Sequence, residues 1–211
     1  MSGKKRIYIA GPNLFYANWP TFASQAQTLC AEHGLEAILP VPATVLTGPG
    51  VTEPSDAASA KKVSVNCRKA VSRAHGVIAN LSPFRGTEPD SGTVVEYTLA
   101  HVLGIPVIGF TSGVGHTVPV GTDEEGRLLA SDGGWIEQFG IRHNVMVQDV
   151  CDAITTSMQE AVILMAGLME KRKLCDRKAS SVGFWWNKAI QEMHRKEAGG
   201  EIPTKDGGFL P

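Results

Sequence analysis

Glu96 is the residue around which chemistry can be built. It ends the run Gly92-Thr93-Val94-Val95-Glu96, which opens a helix after the loop from Ser82 to Ser91. A carboxylate in a first helical turn lies at the positive end of the helix dipole, which favours its ionised form. Ionised, partly buried and facing a pocket, it can attack a sugar carbon. The same spacing also suits a local purpose. Thr93 and Glu96 fit a capping box, in which the carboxylate only reaches back to the Thr93 backbone N–H. Asp90 precedes this segment and can bring a second carboxylate to the same pocket, one to attack and one to bind or protonate. Equally, it can satisfy the free N–H groups at the helix start.

Two further segments deliver polar and aromatic groups. Tyr8 sits in a strand that ends in Gly11-Pro12-Asn13, with Phe15 just beyond. A tyrosine suits a strand by propensity alone, but its hydroxyl can orient a nearby carboxylate. Phe15 and Trp19 are either core residues or the walls of an apolar slot for a flat base. Asn144 and Met146 stand at the last expected strand. His33, His75, His101, His116, His143 and His194 show no metal-ligand spacing, and no metal is expected. Gly113-x-Gly115 lacks the strand-to-helix setting of a dinucleotide fingerprint, and neither a phosphate loop nor a nucleophile elbow is present.

These groups need a frame that holds strand ends together. Apolar runs predict strands at Ile7–Ala10, Glu36–Leu39, Gly76–Leu81, Pro106–Phe110 and Val145–Val147. Between them, helical periodicity predicts helices at Trp19–His33 (closed by Gly34), about 56–74, about 92–103 and about 150–172. The Pro/Gly/Thr-rich stretch 43–54 reads as a loop, and 111–140 as a long irregular excursion. Strand and helix in alternation predict an α/β fold, a doubly wound, Rossmann-like or flavodoxin-like parallel sheet of about five strands. Functional groups in such folds gather at the carboxyl ends of the strands. The α/β domain should occupy residues 1–172. Residues 173–211, with Phe184-Trp185-Trp186 and a loose Gly/Pro-rich end, should form a C-terminal helical extension.

Composition agrees with a folded domain. Of 211 residues, 43% are hydrophobic and 19% charged, enough apolar side chain for a core. A formal net charge of −1 gives no reason to expect nucleic acid or an anionic membrane as partner. Cys30, Cys67, Cys151 and Cys175 are widely spaced and read as reduced thiols of a cytoplasmic protein. The apolar run at Ile7–Ala10 stops at Gly11-Pro12, too short for a signal peptide, and no stretch is long enough to span a bilayer.

Taken together, Tyr8-Ile-Ala-Gly-Pro-Asn-Leu-Phe15, Val77-Ile-Ala-Asn-Leu-Ser-Pro-Phe-Arg-Gly86, Glu88-Pro-Asp-Ser-Gly-Thr-Val-Val-Glu96 and Asn144-Val-Met146 resemble the nucleoside 2-deoxyribosyltransferase family, in particular its branch with a Ser-Pro-Phe-Arg-Gly loop. The resemblance covers roughly residues 6–165 in order. It implies that Glu96 attacks C1′ to form a covalent deoxyribosyl-enzyme, that Tyr8 holds Glu96, and that Asp90 belongs to the substrate pocket. Gly11, Pro12, Phe15 and Gly92 would line that pocket. Asn144 and Met146 would be donated to the sugar end of the site from an adjacent subunit. The resemblance thus implies a homo-oligomer acting on deoxynucleosides and free nucleobases without a cofactor. One departure stands out: the family often carries Asp or Asn near the leaving base, and here Asn66, expected as a contact to the base, is one position out of register, with Cys67 in its place.

Three rival functions share parts of the pattern. A deoxynucleotide N-hydrolase acting on 5′-monophosphates would need phosphate donors, whereas Asp90 would repel a dianion at the 5′ end. A lysine-decarboxylase-like phosphoribohydrolase has a similar Gly-Thr-x-x-Glu turn, but with more glycines where this chain has Asp90-Ser91. A non-enzymatic nucleoside-binding module on the same fold would have no use for Tyr8, Asp90 and Glu96 together.

Overall fold

A computed structural model describes residues 3–40, 57–112, 119–141 and 143–174. The expected loop at 43–54 lies outside the described residues. So does nearly all of the C-terminal extension, including Phe184-Trp185-Trp186. In chain order the elements are β1 (Lys5–Ala10), a 3-10 turn (Pro12–Phe15), α1 (Trp19–Glu32), β2 (Leu35–Ile38), α2 (Ala57–Ser72), β3 (Gly76–Asn80), α3 (Ser91–Val102) and β4 (Val107–Phe110). A two-stranded hairpin of β5 (Gly121–Thr122) and β6 (Leu128–Leu129) follows, then α4 (Val145–Asp149), β7 (Ala153–Thr155) and α5 (Met158–Leu174).

The main sheet has five parallel strands in the order β2-β1-β3-β4-β7. This is the doubly wound α/β fold that the strand-helix rhythm predicts. Side chains alternate across β1, β3 and β4, as the two-residue strand period requires. Ile7, Ile9, Ile78, Ile108 and Phe110 pack under α1 and α5, against Ala26, Cys30, Ala161, Val162 and Met165. Tyr8, Ala10, Val77, Ala79, Leu81 and Val107 face the other layer, against Val71 of α2 and Tyr97 and Ala100 of α3. β1 pairs with β2 on one side and β3 on the other, so the chain reverses direction across the sheet between β1 and β3. Ligands in such sheets bind in the crevice at that reversal, outside the carboxyl ends of the strands.

The structure corrects the chain's last third. Val145–Val147 is not a strand: it lies in the short helix α4, whose N-cap is Asn144, with its side-chain oxygen accepting from the Met146 N–H. Two β-branched valines in Val-Met-Val suit a strand, but a capping asparagine directly before it decides for helix. The fifth strand is instead Ala153–Thr155, inside the segment predicted as one helix from residue 150, and α5 starts only at Met158. It is a three-residue edge strand, pairing with Ile108–Phe110 of β4. So short a strand leaves too few residues to interrupt a helical pattern.

Candidate active site

The site grows from the β1–β3 crevice. Gly11 closes β1 and packs against β3. A Cβ there would meet the Asn80 Cβ at 2.8 Å and the Asn13 Oδ1 at 2.9 Å. Asn80 Nδ2 donates to Asn13 Oδ1 at 2.9 Å, bridging the two strand ends, and Asn80 Oδ1 accepts from the Ser82 N–H. Pro12 is buried and starts the 3-10 turn that carries Phe15 to the surface. There Phe15 stacks on Phe84, with ring centroids 5.6 Å apart, and the Arg85 guanidinium lies over both rings. Arg85 itself has φ of 54°, a left-handed conformation that costs a non-glycine residue energy.

Glu96 is set by α3. Asp90 is the N-cap of this helix: its Oδ2 accepts from the Thr93 N–H at 2.8 Å and the Thr93 hydroxyl at 2.9 Å. The capping box drawn from Thr93 is therefore not formed. With Ser91 as the first helical residue, Glu96 falls in the second turn, not the first. Gly92 leaves room for the cap, since a Cβ there would sit 3.1 Å from Asp90 Oδ2. Thr93, Tyr97 and Ala100 are buried along one side of α3.

Tyr8, fully buried on β1, donates its phenolic proton to Glu96 Oε1 at 2.7 Å. The Cys67 thiol of α2 hydrogen-bonds in the same cluster, with both Glu96 and Tyr8. Glu96 titrates above the ordinary carboxylate value because burial disfavours its charge. The Tyr8 and Cys67 hydrogen bonds pull it back down, and the nearby Asp90 charge pushes it up again. The expectation that the helix dipole governs Glu96 is thus corrected: its place in the second turn is past the dipole's strongest reach, and desolvation dominates. Burial and the Glu96 charge likewise hold the Tyr8 phenol protonated, as a donor must be.

Tyr8, Glu96 and Cys67 are thus brought together, with Asp90 at the head of the helix that carries Glu96. Asn66 is exposed, and the position beside the carboxylate falls to Cys67. Helix geometry separates adjacent residues by about 100°, so one register step decides which side chain turns inward. Asn144 and Met146 are exposed on α4 and its cap, with Met146 74% accessible. They are tied to the helix of Glu96 indirectly, through Tyr97, whose hydroxyl donates to the Val147 carbonyl at 3.4 Å. Among the described residues, no group of three His, Cys, Asp or Glu side chains could hold a metal ion, and no helix is long and apolar enough to cross a membrane.

Comparison with known proteins bears on the family and the fold. The family model described as nucleoside 2-deoxyribosyltransferase matches residues 7–146, from the strand of Tyr8 to Met146. A solved structure of a 2-desoxiribosyltransferase from Leishmania mexicana is similar at 26% identity and a TM-score of 0.56, covering 77% of this chain and 97% of that one. A conserved protein from Enterococcus faecalis V583 shares the fold at 16% identity and a TM-score of 0.51, covering 79% and 99%. A 2-deoxyribosyltransferase from Bacillus psychrosaccharolyticus matches at 18% identity and a TM-score of 0.48, covering 74% and 89%. No curated protein sequence matches. The family match extends over well more than half of the chain and takes in both partners of the Tyr8–Glu96 pair. The chain belongs to the nucleoside 2-deoxyribosyltransferase family.

Proposed function

We propose that this protein transfers 2-deoxyribose between nucleobases through a covalent deoxyribosyl-Glu96 intermediate. The observation that carries this reading is the buried Tyr8 hydroxyl on Glu96 Oε1, which holds the carboxylate in one orientation at the carboxyl ends of the strands. In the first step a carboxylate oxygen bonds to C1′ while the C1′–N bond breaks, and the base departs with the bonding pair. The base leaves well only when a ring nitrogen is protonated, because a base anion is a poor leaving group. In the second step a new base attacks C1′, the C1′–O bond to Glu96 breaks, and the carboxylate is restored. Two inversions give net retention. Water in place of the second base yields free deoxyribose, so hydrolysis accompanies transfer.

Asp90 serves the sugar end of the site in this reading, with the carboxylate oxygen that does not cap α3. Gly11, Pro12, Phe15 and Gly92 shape the pocket, and Asn144 and Met146 reach the sugar of an adjacent subunit in a cytoplasmic homo-oligomer. The site acts on small deoxynucleosides and bases without a cofactor. A second reading, hydrolysis of deoxynucleoside 5′-monophosphates, is disfavoured by the Asp90 carboxylate, which repels a phosphate dianion.

The test is base exchange with purified protein, deoxyinosine and free adenine. Deoxyadenosine that is formed by the wild type and lost in Glu96→Ala supports transfer through Glu96. Free deoxyribose alone makes the protein a nucleoside hydrolase. Turnover only of 5′-monophosphates, or of nothing, overturns the proposal.

A further inference from the structure

The loop and cap that present Asn144 are held by a carboxylate that nothing so far has used. Glu137 lies on the exposed stretch after the β5–β6 hairpin, and both of its oxygens are spent on this tip. Oε1 accepts from Asn144 Nδ2 at 3.0 Å, and Oε2 accepts from the Val145 N–H at 2.9 Å. Asn144 Oδ1 in turn accepts from the Met146 N–H at 3.0 Å. The Asn144 amide is therefore fixed at both ends. Its orientation is dictated as well, because a flipped amide would set Nδ2 against an N–H donor and Oδ1 against a carboxylate. One Nδ2 hydrogen and one Oδ1 lone pair remain for an outside partner.

This brace stands in water, where a hydrogen bond adds little to stability. Next to it, Met146 is left 74% exposed. A fixed polar amide beside an exposed apolar side chain is the arrangement of a preformed contact element, since ordering is done before the partner arrives. Glu88, Glu137 and Asn144 also line one cavity of about 280 Å³. The tip is thus on the same side of the molecule as the loop leading into Asp90.

We propose that Glu137 is a positioning residue for the sugar end of the site, acting through Asn144 by fixing its amide and the first turn of α4. This rests on the reading that Asn144 contacts the sugar bound in an adjacent subunit. The near-isosteric Glu137→Gln is the discriminating change: Asn144 and Val145 donate to different carboxylate oxygens, and a glutamine puts an amide NH2 in place of one of them, where it faces a donor.

Two readouts test it. Amide hydrogen exchange at Val145 and Met146 should speed up at least tenfold in Glu137→Gln, with the β1 and β3 amides unchanged. In base exchange, kcat/KM should fall about tenfold by the same factor for every leaving base, because the sugar is common to all. Glu137→Gln placed on Asn144→Ala should add nothing further, as residues acting as one unit are not additive. Unchanged amide exchange, a loss that depends on the base, or full additivity with Asn144→Ala overturns the proposal. Failure of the function itself reads differently: the wild type would exchange no base, while amide exchange would still report whether the brace exists.

Discussion

The Tyr8 hydroxyl donates to Glu96 Oε1 at 2.7 Å, joining β1 to α3 across 88 positions of sequence. The bond is made in the layer where Tyr8 also packs against Val77, Tyr97 and Ala100. Its donor is therefore held by the core, and the carboxylate it orients is fixed before any substrate arrives. Such preorganisation spares reorganisation at the moment of attack.

Tyr8→Phe removes this donor and leaves the ring in place. Hydrogen bonds to charged groups contribute roughly 1.5–3 kcal/mol, so kcat/KM should fall about 10- to 100-fold. The pH profile should move as well. The hydrogen bond stabilises the carboxylate form, so its loss raises the Glu96 pKa further, and the acidic limb of kcat/KM should shift to higher pH. A fall in rate with an unmoved limb would show that Tyr8 does not act through the Glu96 charge.

Cys67 gives a graded version of the same test. A thiol is a weak donor and a hydroxyl a strong one. Cys67→Ser should shift the acidic limb to lower pH, and Cys67→Ala to higher pH by less than Tyr8→Phe does. Titrating kcat/KM for the three variants side by side checks the order. Equal limbs for alanine and serine would remove Cys67 from the account of Glu96.

How this site could be read from sequence differs by residue. Tyr8 and the Gly11 turn stand at the end of an apolar strand run and Glu96 on the helix after a second strand end, but that Tyr8 meets Glu96 is implied only by the family resemblance. The strength of the apolar pattern makes β1, β3 and β4 legible to within two residues. Cys67 was visible only as an oddity, because choosing between Asn66 and Cys67 needs the rotation of α2 about its axis. The Asp90 cap and the Thr93 box were both open, since each spacing satisfies helix N–H groups. Only the position of Ser91 as first helical residue separates them. Ala153–Thr155 and α4 leave no legible pattern, because each is three to five residues long, shorter than the window in which periodicity is measurable.

Asp90 has two separable effects, a cap and a charge. Asp90→Asn keeps an oxygen for the Thr93 N–H and removes the charge that pushes Glu96 up. The acidic limb should then shift to lower pH, with Tm changed little. Asp90→Ala loses the cap too, costing about 1 kcal/mol of stability and a drop of a few degrees in Tm. Thermal unfolding and pH–rate profiles on both variants check this pair. Equal Tm losses in both would mean that an amide cannot replace the carboxylate in the cap.

Gly11→Ala tests the floor of the crevice. The new methyl would meet the Asn80 Cβ at 2.8 Å, an atom one bond from the backbone that cannot swing aside. It would also press on Asn13 Oδ1, the acceptor of the Asn80 bridge. Overpacking of this kind costs roughly 1–3 kcal/mol. The variant should lose several degrees in Tm and most of its exchange activity, since β1 and β3 must separate at the floor of the proposed site. Wild-type Tm and rate would show that the strand ends yield without cost.

Glu96→Gln should abolish transfer and at the same time stabilise the fold. Burial raises the Glu96 pKa above its ordinary value of 4.5, so the folded state favours the protonated form more than the unfolded chain does. By linkage, the wild type loses stability as pH rises from the unfolded pKa through the folded one, and it stays lower at neutral pH. Glutamine carries no charge at any pH and can still accept the Tyr8 proton at its side-chain oxygen. The Tm of Glu96→Gln should therefore exceed that of wild type near neutrality, and the gap should close as pH falls toward the ordinary carboxylate pKa. Thermal unfolding of both proteins across that range measures it. A gap that is absent, or that widens on acidification, would mean that Glu96 is not a buried charge held against its own desolvation, and the site would lose the trade of stability for reactivity expected of a nucleophile.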